Sequence, residues 1–251
     1  MLYLHRSLSH GSVCLALPTR LGCRTILWMF TGIRPREWAA VHRYHHATAD
    51  SPEDPHSPVV RGVWRVFFTN ANLYRRQVRA GVPARLQRGL AADRLDRLVF
   101  DHTRTGLLVG VGAVIALLDV AGGLVAFVLH GVIYIQSNAA VNAFCHHWGT
   151  RPNANTATNL RVLALFTFGD ALHNNHHARP RAARLDWQPG AIDPGWWLIS
   201  ALTRVHLAEL PWAAAAAAGS ADRVPSVMAP APRLGRAGPR DGRRPYAARG
   251  A

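Results

Sequence analysis

The sequence predicts an all-α membrane protein, with a transmembrane helical hairpin beneath a cytosolic helical cap that holds a histidine-rich site. Three observations lead there. A stretch from Thr105 to about Val141 is strongly apolar, interrupted only at Leu118-Asp119-Val120-Ala121-Gly122-Gly123. The 14 histidines are bunched rather than scattered. Hydrophobic residues make up 49% of the 251 residues and charged residues only 17%, against about 25% charged in an average soluble domain, so part of the surface should face lipid. The length suits one domain over about residues 1–210, followed by a tail.

From His5 to about Gly32, polar positions alternate with a moderately apolar run containing Cys23, Ile26, Leu27, Trp28, Met29 and Phe30. It is too short and too interrupted for a span, which predicts an interfacial or half-buried helix. Pro35, Arg36 and Glu37 then read as a helix start, with proline in the first turn and an acid near the N-terminal dipole. That helix should run through Trp38 to about Ala49. Prolines 52, 55 and 58 exclude regular helix from the next stretch. Residues 62–104 are basic and aromatic in turn and predict membrane-surface helices. A helix of about 20 residues spans a bilayer, so the broken apolar stretch predicts two spans with both ends on one side. That side carries most of the arginine, which makes it cytoplasmic. Phe144 to about Leu210 returns to the polar side, with an amphipathic segment from Trp196 to Leu207. The Ala/Pro/Arg-rich residues 211–251 predict a disordered tail.

The net charge of +15 comes from 29 arginines, since the chain has no lysine. Scattered arginines without a binding fold around them argue against nucleic acid and suit an anionic membrane face. Cys14, Cys23 and Cys145 have no CxxC spacing, which speaks against disulfides or a thiolate zinc site and for a reducing compartment. The opening residues do not read as a signal peptide, because His5 and Arg6 follow Met1 to Leu4 at once.

The histidines carry the functional signal. In a helix, positions i, i+3 and i+4 share a face, so His42-Arg43-Tyr44-His45-His46 projects three imidazoles to one side, and His173-Asn174-Asn175-His176-His177 repeats the pattern. His5 and His10 form a pair, and Asn142 with His146 lies at the end of the second predicted span. This number of imidazoles exceeds what one tetrahedral zinc needs, which points to two metals. A carboxylate-bridged di-iron bundle is disfavoured, because it needs inward glutamates and Glu-x-x-His pairs, and acids near these histidines look few. His147, His102, His130 and His206 are not assigned to metal. His56 is a candidate for orienting a ligand.

These motifs resemble the membrane fatty acid desaturases, in particular the delta-9 acyl type related to stearoyl-CoA desaturase. The resemblance rests on His5-Arg6-Ser7-Leu8-Ser9-His10, Glu37-Trp38 ahead of the first HxxHH box, Asp54-Pro55-His56, Asn142 to His146 with Trp148-Gly149, and His173 to His177 with Asp186-Trp187 beyond. It implies an iron held by His5, His10, His42, His46 and His176, and a second held by His45, His146, His173 and His177, with Asn142 holding a water. It further implies two Fe2+ ions, O2 as cosubstrate, and a cis double bond placed in a saturated acyl chain, with Trp38 and Trp148 as candidates to line the channel that holds that chain. The same scaffold also supports hydroxylation, and a non-catalytic remnant stays open. Electrons would come from a separate ferredoxin, cytochrome b5 or flavin reductase type donor, and the partners would be the bilayer and an acyl substrate. Charged residues that contact coenzyme A in the stearoyl-CoA type are replaced here by Ala40 and Val41, so acyl-CoA, an acyl-lipid or another acyl carrier stays open. The resemblance implies four spans, with the first histidine pair ending the second; only Met1 to Leu4 precede that pair, which leaves open a start further upstream or an N-terminally truncated form.

Overall fold

The computed structural model describes residues 1–211. The predicted tail, apart from Pro211, lies outside them. The chain begins with a π-type helix, Leu2–Ser9, and a short strand β1 (Cys14–Leu15). Helices α1 (Leu17–Phe30) and α2 (Pro35–Thr48) follow. The single interfacial helix expected from His5 to Gly32 is therefore two helices, separated by a turn at Gly11 in the left-handed region (φ 62°). The second begins as sequence logic requires, with Pro18 in its first turn.

α2 starts at Pro35 with Glu37 in its first turn and stops where Asp50 takes a positive φ of 59°. Beyond the proline-rich turn come α3 (Pro58–Arg61) and α4 (Val63–Ala80). Of the surface helices expected over residues 62–104, α4 is the substantial one. The rest is a 3-10 turn at Ala84–Gln87 and a π-type turn at Asp96–Phe100. Arg24, almost fully buried, reaches from α1 to Asp93 (2.7 and 2.9 Å) and Asp96 (2.6 Å) and so pins that irregular segment.

The apolar stretch folds as α5 (Thr103–Leu118) and α6 (Val120–Phe144), packed side by side. Asp119 alone makes the turn: its φ is 86°, and its carboxylate accepts from Gly122 N at 2.9 Å, capping α6. Gly123 lies against the Ile115 backbone, where a Cβ would collide. Gly106 and Gly110, a small-xxx-small pair of the kind that lets helices approach closely in membranes, face the Trp28 and Met29 carbonyls of α1 in the same way.

α6 has the length and apolar composition to cross a membrane, with mean hydropathy 1.7 over its best window. Val120, Leu124, Val125, Val128, Leu129, Val132 and Ile133 on it are exposed. With 16 residues, α5 falls just short of the roughly 17 to 25 a span requires. Where the sequence reading expected two spans, one helix meets that measure.

The polar half holds α7 (Arg161–Phe166), α8 (His173–Ala178), α9 (Pro194–Arg204) and the strand β2 (Ala208–Glu209). β2 pairs antiparallel with β1, Cys14 opposite Glu209. This two-residue clasp, with isolated bridges joining Thr150 to Asn159 and Asn159 to Leu172, departs from a purely helical fold. α9 replaces the longer amphipathic segment expected over 196–207, beginning where Asp193 accepts from Trp196 N. The apolar cores are small, such as Val141, Cys145, Ala164, Ala171, Leu172 and Leu185 around the end of α6. Among the described residues, seven histidines are buried beside them.

Candidate metal centre

Five histidines converge at one point. His5 and His10 come from the N-terminal π-type helix, His42 and His46 from α2, and His176 from α8; their ligand atoms all lie within 4.8 Å of one another. The backbone of the first pair explains its reach. His10 N donates to His5 O at 3.2 Å, a five-residue turn that brings residues five apart onto the same side, whereas an ordinary α-turn would splay them. Such π-turns recur at functional sites.

A second group, His45, His146, His173 and His177, forms beside it within the same 4.8 Å spread. Adjacent residues on an α-helix diverge by about 100°, and so His45 and His46 face different groups. His46 and His177 stack across the boundary at 4.2 Å between ring centroids.

The spacing of the nitrogens bears on what could sit between them. In the first group, Nε2 to Nε2 distances are 2.9 Å for His5–His176, 2.9 Å for His10–His42, 3.1 Å for His42–His46 and 2.8 Å for His46–His176. With metal–nitrogen bonds of about 2.1 Å, the edge of an octahedron is about 3.0 Å and that of a tetrahedron about 3.4 Å. Five donors at octahedral edge lengths fit a six-coordinate metal better than a four-coordinate one. His177 and His173, at 3.1 Å, repeat the spacing in the second group.

The opposite nitrogens are held by oxygen. His5 Nδ1 lies 2.8 Å from Asp170, His146 Nδ1 2.8 Å from Asp50, and His45 Nδ1 3.0 and 3.1 Å from the two oxygens of Asp54. His173 Nδ1 faces the Asp170 carbonyl at 3.2 Å. Each contact fixes the tautomer that leaves Nε2 a bare acceptor aimed inward, the arrangement that orients histidine ligands. His45 Nε2 and His146 Nε2 are buried with no protein partner. Acids are thus not scarce around the histidines, as the sequence reading had it. They stand behind the imidazoles instead of among them. Asp54 also accepts from Asp50 N and His56 N at 3.0 Å each. These donors saturate it, so His45, Asp54 and His56 do not make a third metal site.

Burial lowers the pKa of His10, His42, His46, His173, His176 and His177 well below the ordinary imidazole value, and neighbouring imidazoles add to the effect. Burial also wins over the Asp50 carboxylate at His146. Neutral imidazole is the form that binds metal. Burial alone would raise Asp50, but its hydrogen bond and charge contact with His146 bring it down to about 2.

Of the other candidates, Trp38 stacks on His42 at 4.8 Å and lines a cavity of about 420 Å³ that also borders His5, His173 and Asn142. Asn142 donates to Asn70 Oδ1 at 3.0 Å. His56 is buried against His45 (4.7 Å), lines the same cavity, and has neither ring nitrogen paired. Trp148 is not among the lining residues: it is 44% exposed and packs with Trp64 and Phe144. His130, on α6, contacts the Phe30 carbonyl at 3.1 Å. Asp50, Asp170 and Asn70 were missed by sequence reasoning; the short distance of Asp50 from His46 and of Asp170 from His173 was the available signal.

A family model described as Fatty acid desaturase matches residues 1–216. The chain is 32% identical over 184 residues to an icosanoyl-CoA 5-desaturase of Limnanthes douglasii, covering 69% of this chain and 49% of that protein. It is 30% identical over 217 residues to delta-9 acyl-lipid desaturase 2 of Arabidopsis thaliana, covering 81% and 67%. An acyl-CoA C20 delta5-desaturase of Anemone leveillei is 30% identical over 221 residues, covering 82% and 67%. The chain thus spans about half to two thirds of the length of these curated relatives. Nine imidazoles in two convergent groups, together with a family match that runs across the whole described chain, place this protein in the fatty acid desaturase family.

Proposed function

We propose that the protein is an acyl desaturase that places a cis double bond, at the delta-9 position, in a saturated acyl chain. The observation that carries this reading is the pair of imidazole groups bordering one cavity. His5, His10, His42, His46 and His176 would hold one iron, and His45, His146, His173 and His177 the other, with Asn142 steadying a water beside the second. Iron bound there would supply the redox chemistry that activates O2. In overall balance, the saturated chain, O2, two electrons and two protons give the alkene and two waters.

The residues of this chain do the rest. Asp170, Asp54 and Asp50 hold the Nδ1 side of His5, His45 and His146, which leaves Nε2 of each aimed inward. Trp38, Val41, Ile133, Tyr134 and Val141 line the cavity and would hold methylenes in register, since each buried CH2 contributes only about 0.8 kcal/mol and position must come from shape. α6 would cross the bilayer with α5 beside it, both opening to an arginine-rich cytoplasmic face, where a separate acidic electron donor would dock. Ala40 and Val41 are buried and uncharged, which favours an acyl-lipid over acyl-CoA as the carrier.

Expression of the chain in a host without its own desaturase, followed by gas chromatography–mass spectrometry of total fatty acids, tests this. A new cis-monoene is expected, with the double bond located by derivatisation. A hydroxylated product, or none from membrane-expressed protein supplied with a donor, would refute it.

A further inference from the structure

We propose that five asparagines, Asn153, Asn155, Asn159, Asn174 and Asn175, form a positioning knot that sets where α8 holds its three histidines, and that they govern metal affinity at the second histidine group more than at the first. This rests on reading the two groups as metal sites. α8 has six residues, and its N-cap position, Leu172, makes no side-chain cap. A helix this short has little stability of its own. His173, His176 and His177 take one face, leaving Asn174 and Asn175 between them in sequence, both fully buried.

Their hydrogen bonding is dense. Asn174 Nδ2 faces the carbonyl oxygens of Asn153 (3.1 Å) and Ala157 (2.9 Å) and the side-chain oxygen of Asn155 (2.8 Å). Asn174 Oδ1 accepts from Asn153 N (2.8 Å) and Asn153 Nδ2 (2.9 Å). Asn155 Nδ2 returns to Asn174 O at 2.9 Å. Asn175 Oδ1 accepts from Asn153 Nδ2 (3.2 Å) and Asn159 Nδ2 (2.9 Å), its Nδ2 donates to Leu185 O (2.7 Å), and its backbone N donates to Asn159 Oδ1 (3.1 Å). Buried amides are costly unless paired, and apolar residues would fill this space without that cost. What a saturated amide network adds is direction, because it admits one rotation and one depth of the helix.

The asymmetry follows from the ligand count. α8 supplies two of the four histidines in the second group, but one of the five in the first. A small displacement of α8 therefore removes half the donors of one group and a fifth of the other. Simple loss of fold would release both metals together.

The test is titration of the full chain in nanodiscs with Fe2+, the two sites resolved by Mössbauer spectroscopy, comparing the parent with Asn174→Asp, Asn175→Asp and the milder Asn155→Ala. The aspartates keep the shape but replace an amide donor with an acceptor. Affinity at the second group should fall about 10- to 100-fold, the range for partners that orient ligands, while the first group changes much less and helicity by circular dichroism is kept. Parent-like binding at both groups, or loss of both in step with helicity, would overturn the proposal. Where the aspartate variants do not fold, Asn155→Ala decides: the same asymmetry at smaller size supports the knot, and parent-like binding sinks it. A parent chain that takes up no iron at either group removes the metal reading itself, and the knot with it.

Discussion

His5, His45, His146 and His173 are used at both ends, and the two ends differed in how readable they were. The inward nitrogens were legible because three- and four-residue spacing on a helix is visible in sequence. The outward partners were not, because Asp50 and Asp170 lie in turns that no periodicity reports. The His5/His10 pair was legible as a pair, but its five-residue turn could only be seen in the backbone. Replacing Asp54 by Asn should weaken metal binding at the second group about 10- to 100-fold, because His45 loses the charged acceptor that fixes its tautomer; metal titration reads this directly, and unchanged affinity would discount the role. The lowered imidazole pKa values also fix a pH dependence. For His10, His42, His46, His173, His176 and His177, the unfolded chain takes up protons as pH falls below 6.5 while the folded chain does not. Their contribution to stability is whole above that pH and lost as pH falls. The unfolding midpoint of the metal-free chain should be level near neutrality and drop steeply between about pH 6.5 and 5; a profile level down to that point would contradict the burial argument.

Among the elements, α5 and α6 follow from hydropathy alone, and the break between them from a single aspartate among glycines. Hydropathy could not reveal that one residue turns the chain, nor how α1 meets the hairpin. That contact is steric. Gly110 has the Met29 carbonyl where a Cβ would be, whereas Gly112, on the same helix, has nothing within 4 Å of that point. Gly110→Leu should lower stability by about 1 to 3 kcal/mol, the usual cost of overpacking, while Gly112→Leu stays near the parent; equal thermal midpoints for the two would show that α1 does not bear on α5. The first segment was misread as one helix for a related reason: the strand β1 takes its partner from β2, nearly two hundred residues on, and no local pattern encodes a distant partner.

Over the whole molecule, an exposed apolar face on α6 stands against a histidine centre at one end of the hairpin. If α6 lies in lipid, Val128→Arg should impede membrane integration, at a cost of about 2.5 to 3.5 kcal/mol near the centre of a span, whereas Val162→Arg on the equally exposed α7 should leave the membrane fraction unchanged. Fractionation and alkaline extraction of the two variants distinguish these outcomes, and indifference to Val128→Arg would count against the span. The clasp of β1 on β2 bears on timing as well as shape. A ribosome releases His5 and His10 well before His176 and the strand at Ala208–Glu209, and Arg6 waits for Asp193 as its buried ion partner. The first histidine group therefore cannot close until almost the whole described chain has been made. Metal held by these groups would accordingly arrive late, after His176 and His177 have been made, and a message truncated before the codon for His176 would yield a protein with neither histidine group complete.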